Sequence, residues 1–370
     1  MGCSVGLVIG QLHRGGAEKQ LTALAKGLRR NHGMRPIVYC LSDVTEPYGP
    51  ELRDSGVDVR ILPMRGIARL TRPLQLARLL RSDGIDVLQA FLMGPTLHSA
   101  VANLVCRLPF VTSFRWGPHP RHRLRRAVDK WAHRQADAVT ANSRSGLEFV
   151  AETFQIQPSR LTHVPNGVDF SGTSISRERA RDQLGLPRNA QIILGVARLV
   201  SDKNLPLFVK VVARVLSTHP EAICILAGDG PEYQAVQQLV GRTAFKNRIK
   251  LVGLSNDVPQ LLAAADCLLL TSHREGTPNA VLEAMVAGLP VVVTAVGDLP
   301  RVVCDGETGH VLPPGDEEGL TAACNRLLDD DEEATKLGQA GAQRVRKGFS
   351  TDTMVATYAG IYDRLTKVSG

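Results

Sequence analysis

Short apolar runs alternate with longer amphipathic stretches along almost the whole chain. The first run, at residues 5–9, is uninterrupted, as expected of a strand buried on both faces. Leu21, Leu24 and Leu28 follow it at helical spacing. Further strands are predicted at residues 37–41, 57–62, 87–91, 110–114 and 138–141. This alternation predicts a parallel sheet with helices on both faces.

The pattern pauses at residues 166–189, which hold glycines, serines and Pro187 but only short apolar groups. It then restarts, with strands predicted at residues 192–197, 223–227, 249–252, 267–271, 290–294 and 309–312. We therefore predict two doubly wound α/β domains in series, at residues 1–170 and 190–349, with a linker at 171–189. Residues 351–365 are amphipathic and predict a closing helix within the last segment, 350–370.

Composition excludes several classes of protein. The chain has 370 residues, 44% hydrophobic and 22% charged, which suits two or three globular domains and excludes wholesale disorder. The longest weakly polar stretch, residues 281–297, contains Glu283 and Pro290 and is too short to span a membrane. No basic segment precedes the first apolar run, so we expect a strand there and not a signal peptide. The seven cysteines are dispersed without a CxxC pair, which predicts reduced, buried thiols in a cytoplasmic protein and no zinc site.

Charge is distributed unevenly between the two halves. Residues 1–170 hold 23 basic and 13 acidic side chains, a balance of +10, whereas residues 171–370 have a balance of −2. Basic residues are densest between Arg115 and Arg134. This run is either a solvated helix face or a surface that lies near anionic lipid. Nucleic acid is disfavoured, because aromatic residues are only 4% of the chain and no nucleic-acid-binding motif is present.

Candidate chemistry follows the predicted strands, because open α/β sheets bind ligands at the carboxyl ends of their strands. Gly15 and Gly16 come after the first strand and open a helix, whose amides favour an anion. The glycines also leave φ free for a turn, and a plain glycine-capped helix with Glu18 in its first turn is the alternative. Their spacing does not match the dinucleotide-binding fingerprint.

The second domain begins with a strand that leads into Arg198 and Lys203. Two cations at the end of a strand would hold a diphosphate and neutralise charge on a leaving group. Ordinary solvated loop cations are the alternative. A third loop, at 228–231, has two glycines that a tight turn explains.

The segment 274–285 has the most specific pattern. Thr277 suits a helix cap, Pro278 the first helical position and Gly288 the helix stop, so Glu275 would lie before the helix and Glu283 inside it. Two carboxylates placed in this way would accept the paired hydroxyls of a ribose or another sugar. A surface glutamate is the alternative for Glu283, although its apolar neighbours predict a largely buried helix.

The spacing Glu275-x7-Glu283 resembles the signature of glycosyltransferase family 4, whose members are retaining enzymes of GT-B fold. The similarity spans nearly the whole chain. Its further motifs are Gly15-Gly16-Ala17-Glu18, the segment 164–169, Gly195-Val196-Ala197-Arg198-Leu199 with Lys203, the segment 227–231, and Val296-Gly297.

The resemblance implies two Rossmann-like domains that face an interdomain cleft. The first would bind the acceptor and the second a nucleotide sugar, and the closing helix would pack back toward the first domain. Arg198 and Lys203 would clasp the diphosphate, and Glu275 would hold hydroxyls of the donor sugar. The other implied donor-binding residues are Gly15, Gly16, Gly253, Leu254, Gly276, Thr277, Pro278, Asn279, Ala280 and Glu283. The family requires no metal and no separate cofactor.

The chain departs from the family pattern at two positions. Many relatives have a histidine after the strand predicted here at 110–114, where this sequence has Arg115. Arg115, His98 and His119 are therefore acceptor-side candidates, and a proton-transfer role for the arginine is excluded by its basicity. Thr277 replaces a common aromatic or leucine, so the donor sugar stays open; a UDP-sugar is favoured and GDP-mannose is the alternative.

These observations predict a cytoplasmic, metal-independent, retaining hexosyltransferase that acts on a glycan or lipid-linked acceptor in envelope polysaccharide synthesis. Peripheral association with an anionic membrane is expected from the basic first half. The alternatives are a nucleotide-sugar epimerase or phosphorylase of GT-B fold, and a catalytically silent accessory subunit. An NAD-dependent oxidoreductase is disfavoured, because the dinucleotide fingerprint is absent.

Overall fold

The computed structural model describes residues 2–62, 68–115, 123–170 and 175–368. The chain divides into two compact units. The first unit comprises Met1–Gly167 together with Thr351–Gly370, and the second comprises Val168–Ser350.

The first unit is built on a seven-stranded sheet in which all pairings are parallel. Its spatial order is β3-β2-β1-β4-β5-β6-β7. The strands are β1 (Ser4–Ile9), β2 (Arg35–Cys40), β3 (Asp58–Ile61), β4 (Val87–Phe91), β5 (Phe110–Phe114), β6 (Ala138–Ala141) and β7 (Leu161–His163). The helices are α1 (Gly16–His32), α2 (Tyr48–Asp54), α3 (Ala68–Ser82), α4 (Met93–Cys106), α5 (Arg123–Arg134) and α6 (Arg144–Phe154).

Strand β1 explains the continuous apolar run at the start of the sequence. All six of its residues are buried. Leu7 and Ile9 pack with α1 on one face of the sheet, while Val8 packs with residues of α3 and α4 on the other. Because both faces are covered, apolar side chains are favoured at consecutive positions of the strand.

The second unit repeats this architecture with six parallel strands in the order β10-β9-β8-β11-β12-β13. The strands are β8 (Ile192–Val196), β9 (Ile223–Ala227), β10 (Ile249–Gly253), β11 (Cys267–Leu270), β12 (Val291–Thr294) and β13 (His310–Leu312). The helices are α7 (Arg177–Gln183), α8 (Leu205–Thr218), α9 (Tyr233–Gly241), α10 (Val258–Ala264), α11 (Asn279–Val286), α12 (Leu299–Val302), α13 (Glu317–Asp329) and α14 (Asp331–Gly348).

The closing helix α15 (Thr351–Val368) belongs to the first unit. Tyr358 and Tyr362 are buried, and the Tyr358 hydroxyl lies 3.1 Å from Ser113 Oγ on β5. A side chain on Gly27 of α1 would meet Val355 of this helix at 2.5 Å, so the two helices pack closely. The amphipathic pattern at 351–365 therefore marks a helix that completes the core of the first sheet.

The predicted linker at 171–189 is wrong in extent. The chain already enters the second unit at Val168, and α7 lies inside the predicted linker. Arg181 of α7 is buried, donates from Nε to the carbonyl of Ala264 at 2.9 Å and pairs with Asp266. The prediction failed because α7 is rich in polar residues, as a loop is, although the polar side chain of Arg181 has partners inside the unit.

No helix in the described residues is long and apolar enough to cross a membrane.

Candidate functional site

The strand order of the second sheet reverses at β8. The neighbours of β8 are β9 on one side and β11 on the other, so the loops that leave β8 and β11 start side by side and diverge. A crevice at the carboxyl ends of the strands is expected at such a reversal. Arg198 and Lys203 follow β8, and Glu275 follows β11, so all three lie in loops at this edge of the sheet.

Lys203 and Glu275 form an ion pair at this point. Lys203 Nζ lies 2.5 Å from Glu275 Oε1, and the two side chains are 17% and 8% exposed. Ser272 Oγ donates to the same oxygen at 2.6 Å. Glu275 Oε2 has no hydrogen bond to any described residue, so it remains available to accept a hydroxyl. Sequence reasoning missed Ser272, whose only signal is its place at the end of β11, three residues before Glu275.

Backbone hydrogen bonds hold the two loops together behind the ion pair. Residues Ser201–Lys203 form a single 3₁₀ turn after β8. The amide of His273 donates to the carbonyl of Asp202 at 2.7 Å, and Thr271 Oγ1 donates to the carbonyl of Lys203 at 3.2 Å. The lysine is thereby positioned by the neighbouring loop as well as by the carboxylate it contacts.

The loop after β12 supports Glu275 from the other side. The amide of Asp298 donates to the carbonyl of Gly276 at 3.2 Å, and Thr294 Oγ1 donates to the carbonyl of Ser272 at 2.7 Å. Gly297 has a φ of +56°, and a Cβ there would lie 2.0 Å from the carbonyl oxygen of Glu275. Only glycine permits this approach, which accounts for the Val296-Gly297 motif.

The contact of Gly297 with Glu275 yields a stability prediction. Gly297→Ala should displace the Glu275 loop and lower the free energy of unfolding by about 2–4 kcal/mol, through strain at positive φ and the new clash. Gly185→Ala is the matched control, because Gly185 has a φ of +61° and a Cβ at that position would meet no atom within 4 Å. The control should lose only about 1 kcal/mol. Urea unfolding of both variants measures the difference, and equal losses would contradict the proposed steric role.

Arg198 follows β8 in the same loop as Lys203, and its side chain is exposed. Its guanidinium makes no hydrogen bond or ion pair with any residue that the structure describes, whereas its carbonyl accepts from the amide of Val200 at 2.9 Å. Its loop is nevertheless fixed, because the amide of Leu199 donates to the carbonyl of Asp229 at 2.9 Å. Gly228 has a φ of +145°, and a Cβ there would lie 1.7 Å from the carbonyl oxygen of Ala197. The glycine-rich turn thus packs directly on the loop that carries Arg198 and leaves the guanidinium accessible.

The helix after Glu275 begins one residue later than predicted. Pro278 is the N-terminal cap in extended conformation, with ψ 127°, so Asn279 is the first helical residue and Thr277 precedes the cap. The predicted stop is confirmed, since Gly288 follows the helix with a φ of +73°. Val281, Leu282, Ala284 and Met285 are buried, while Glu283 is half-buried, in keeping with the predicted environment. Ala280 is also partly exposed, and Gly276 is buried.

Gly253 and Leu254 lie farther along the same edge. Gly253 ends β10 with a φ of +65°, and its carbonyl accepts from the amide of Gly228 at 2.8 Å. Leu254 is 50% exposed. The sheet order places these residues two strands from β8, beyond the Gly228 turn, where an apolar side chain could border a planar group.

In the first unit, Gly15 and Gly16 lie at the corresponding reversal, where β1 is flanked by β2 and β4. The prediction that Gly15 needs special φ freedom is wrong, because its φ of −168° is ordinary extended backbone. A Cβ at Gly15 would lie 2.1 Å from Oε2 of the buried Glu18, so a larger residue would require the carboxylate to move. Helix α1 therefore begins with a buried carboxylate folded over its first turn.

Arg115, the acceptor-side candidate that follows β5, is buried. It is 6% exposed, donates from Nη1 to Asn166 Oδ1 at 2.6 Å and lies 5.2 Å over the Phe91 ring. Burial lowers the pKa of its guanidinium, whereas Tyr358 acts in the opposite direction. Asn166 follows β7 and Tyr358 lies on α15, so these contacts tie the end of β5 to both, and the charge of the buried Glu18 also raises the pKa of the guanidinium. His98 is half-buried on α4, and His119 lies outside the described residues.

No group of three or more His, Cys, Asp or Glu side chains in the described ranges is arranged to hold a metal ion. At the β8–β11 edge, Arg198 and Lys203 are positively charged groups that could hold an anion.

Comparisons with known proteins agree with this arrangement. The family model described as Glycosyltransferase Family 4 matches residues 14–171, and that described as Glycosyl transferases group 1 matches residues 176–344. The chain is 30% identical to N-acetyl-alpha-D-glucosaminyl L-malate synthase of Bacillus anthracis over 62% of this chain and 60% of that protein. It is 26% identical to the lipopolysaccharide core biosynthesis glycosyltransferase LpsE of Rhizobium meliloti over 78% of this chain and 79% of that one.

The first curated relatives are matched over only 56–61% of their own length. Among solved structures, Anabaena Alr3699/HepE in complex with UDP and glucose superposes with a TM-score of 0.88 at 22% identity, covering 98% of this chain and 100% of that one. The two family matches follow one another along nearly the whole chain, and the second includes the loops of Arg198, Lys203 and Glu275. The chain therefore belongs to glycosyltransferase family 4 and has the GT-B fold.

Proposed function

We propose that this protein is a retaining, metal-independent glycosyltransferase that moves a sugar from a nucleoside-diphosphate donor to a glycan or lipid-linked acceptor. The observation that carries the proposal is the constellation at the β8–β11 edge. There Lys203 is paired with Glu275 at 2.5 Å, and the exposed Arg198 lies in the same loop as the lysine. Family membership supports it.

Arg198 and Lys203 act on the leaving group. As the bond between the sugar and the phosphate breaks, the nucleoside diphosphate gains negative charge, and fixed cations beside it lower the barrier. Both loops are held by backbone hydrogen bonds, so little reorganisation is needed when that charge develops. The anomeric carbon becomes oxocarbenium-like, and the acceptor attacks from the face on which the phosphate departs, with that phosphate as its base.

Glu275 and Glu283 bind hydroxyls of the donor. Glu275 Oε1 is occupied by Lys203 and Ser272, which fixes the carboxylate and directs Oε2 to a sugar hydroxyl. Glu283 holds the ribose from within α11, and Gly253 with Leu254 borders the base. Residues 276–280 connect these two carboxylates and form the remaining wall of the donor site.

The donor is a UDP-sugar in this proposal, and GDP-mannose is the alternative. Alr3699/HepE, which has the same fold, was solved in complex with UDP and glucose, and this is the support for proposing UDP. The cations at the site take the role that a divalent metal has in other diphosphate-binding sites. We therefore expect transfer to continue in EDTA.

A thermal-shift screen tests the donor. At a ligand concentration about 100 times Kd, a UDP-sugar should stabilise the protein by about 2.7 kcal/mol, and Lys203→Ala should abolish this shift. Lys210→Ala is the control, because Lys210 is exposed on α8 in the same unit. A larger shift with GDP-mannose would overturn the choice of base, and no shift with any nucleotide sugar would overturn the function.

Product analysis with a labelled donor separates the proposal from its alternatives. A transferase passes the label to an acceptor, an epimerase changes the donor without one, and a silent subunit binds the donor and leaves it intact.

The proposal places this reaction in the synthesis of an envelope glycan at the cytoplasmic face of a membrane. Support comes from the name of LpsE and from the excess of basic residues in the first 170 positions. The protein would associate with anionic lipid peripherally. Binding would weaken with salt, because exposed charges are screened.

A further inference from the structure

Three neighbouring helices of the first unit present an unusual outer surface. Helix α4 packs against α3 on one side and against α5 on the other. Inner residues of all three, among them Leu76, Ala100 and Ala132, belong to the core on one face of the sheet. Their opposite sides form one continuous layer, which we call the α3–α4–α5 face.

The centre of this face is apolar. Val101, Leu104 and Val105 are 36%, 57% and 44% exposed and have the i, i+3, i+4 spacing of one helix face. The solvent side of a surface helix normally carries charged or polar residues, yet α4 contains no Asp, Glu, Lys or Arg at all. Leu74 on α3 is 57% exposed, and Leu124 and Trp131 on α5 are 78% and 37% exposed.

All six of these side chains lie on three helices that pack side by side. They are six of the ten exposed large hydrophobic side chains in the described residues. Concentration on three adjacent helices is the pattern that marks an interaction surface.

Basic side chains flank the apolar centre. The exposed ones are Arg78 and Arg81 on α3, Arg107 directly after α4, and Arg125, Arg126 and Arg134 on α5. Arg81 donates from Nη2 to the carbonyl of Val105 at 2.8 Å, so its guanidinium lies at the edge of the apolar stripe. The three helices contain a single acidic residue, Asp129, which is 6% exposed and faces inward. One exposed carboxylate, Asp137 after α5, lines a cavity together with Leu104 and Arg107. The face is therefore apolar at its centre, and arginines outnumber carboxylates at its sides.

We propose that the α3–α4–α5 face is the surface by which this protein binds an anionic lipid bilayer. The aliphatic side chains of α4 would enter the boundary between headgroups and acyl chains, Trp131 would lie at the level of the headgroups, and the flanking arginines would contact lipid phosphates. This inference deepens the membrane association proposed above and rests on it.

A bilayer fits the face better than a second copy of this chain does. Self-association through the face would bring the same arginines of two copies together, and like charges across an interface are unfavourable. An acidic protein partner would satisfy the arginines. Positions 101, 104 and 105, however, carry only aliphatic groups, without the hydrogen-bonding side chains that fix a protein partner in register.

Vesicle co-sedimentation of the full chain tests the proposal. We expect binding to phosphatidylcholine vesicles with roughly one third phosphatidylglycerol, and binding at least tenfold weaker to phosphatidylcholine alone. Raising the salt from ~0.1 M to ~0.5 M should weaken binding to the anionic vesicles. Equal binding to the two kinds of vesicle, or none to either, overturns the proposal.

Paired variants locate the surface. The double variant Leu104→Glu, Val105→Glu should bind anionic vesicles at least tenfold more weakly, because it places two carboxylates at the apolar centre. Val44→Glu is the control, since Val44 is 44% exposed in the same unit and outside the face. Wild-type binding by the double variant, or an equal loss in the control, contradicts the assignment.

The charge at the flanks has its own pair of variants. Arg125→Glu with Arg126→Glu should weaken binding about tenfold or more, whereas Arg53→Glu, an exposed arginine on α2, should not. These arginine variants still test the location of the surface if the α4 double variant fails to fold. Analytical ultracentrifugation is the final check, because a wild-type dimer that the α4 variant abolishes, without vesicle binding, would assign the face to self-association.

The thermal shift with UDP-sugar separates this inference from the proposed function. All four variants should retain that shift, because none lies at the β8–β11 edge. If the wild-type protein bound vesicles through this face but bound no nucleotide sugar, the lipid-binding proposal would stand and the transferase proposal would fail.

Discussion

Lys203→Ala is expected to reduce the rate of sugar transfer by about a hundredfold to a thousandfold or more, while the protein remains folded. Removal of one group that stabilises developing negative charge costs about 3–4 kcal/mol in transition-state stabilisation. The substitution also leaves Glu275, 8% exposed, without its cation. Separation of a buried pair costs about 3–5 kcal/mol of folding stability, and the accessible Oε2 should keep the loss here near the lower figure.

The measurement is kcat/KM for the purified variant, together with its melting temperature. Lys210→Ala should behave as the wild type in both, because Lys210 is exposed on α8 and makes no contact with the site. Full activity in Lys203→Ala would remove the assignment of the β8–β11 edge as the donor site. A variant that melts below the assay temperature would be measured at a lower temperature, where it is folded.

Glu275→Ala should separate donor binding from transfer. Loss of the carboxylate frees Lys203, so UDP alone should bind at least as tightly as it does to the wild type. The hydroxyl contact through Oε2 is lost, and with it the orientation of the sugar. Transfer should therefore fall by about a hundredfold or more, because orientation of the reacting groups contributes several kcal/mol.

Calorimetric titration with UDP and single-turnover transfer measure the two effects separately. Glu275→Gln keeps the shape and an oxygen for Ser272 and should lie between wild type and Glu275→Ala in rate. Glu307→Ala, on an exposed turn of the same unit, is the control. A parallel loss of UDP affinity and rate in Glu275→Ala would show that the carboxylate only maintains the loop, and not the sugar contact proposed here.

The sheets could be predicted from sequence because parallel strands buried on both faces form short, uninterrupted apolar runs. The strands predicted at 87–91, 110–114, 138–141 and 223–227 have these same bounds in the structure. Strand β7 was not predicted, since Leu161–His163 is only half-buried and has no apolar run. Helix α7 was mistaken for part of a linker, because its buried Arg181 is satisfied by groups distant in sequence.

The candidate site shows the same division. That Arg198, Lys203 and Glu275 follow strands could be read from the sequence, and so could a common edge for them. The bond of Ser272 to Glu275 and the approach of Gly297 to the Glu275 carbonyl could not, because each depends on how the folded loops approach one another. Arg115 illustrates the opposite failure, since an arginine in a basic run reads as a surface residue until its packing against Phe91 and Asn166 is known.

The order of apolar and polar residues by itself determined that this protein has two parallel α/β units and that its cations and carboxylates follow their strands. Local sequence patterns suffice for this conclusion, because a strand that is buried on both faces has apolar residues at consecutive positions. Only the tertiary structure decided which side chains touch and which are accessible. Three features depend on which strands and helices become neighbours: the contact between Lys203 and Glu275, the burial of Arg115 and the exposure of the apolar side of α4. The local pattern does not specify these neighbours, because they are brought together by packing between segments that are far apart in the sequence.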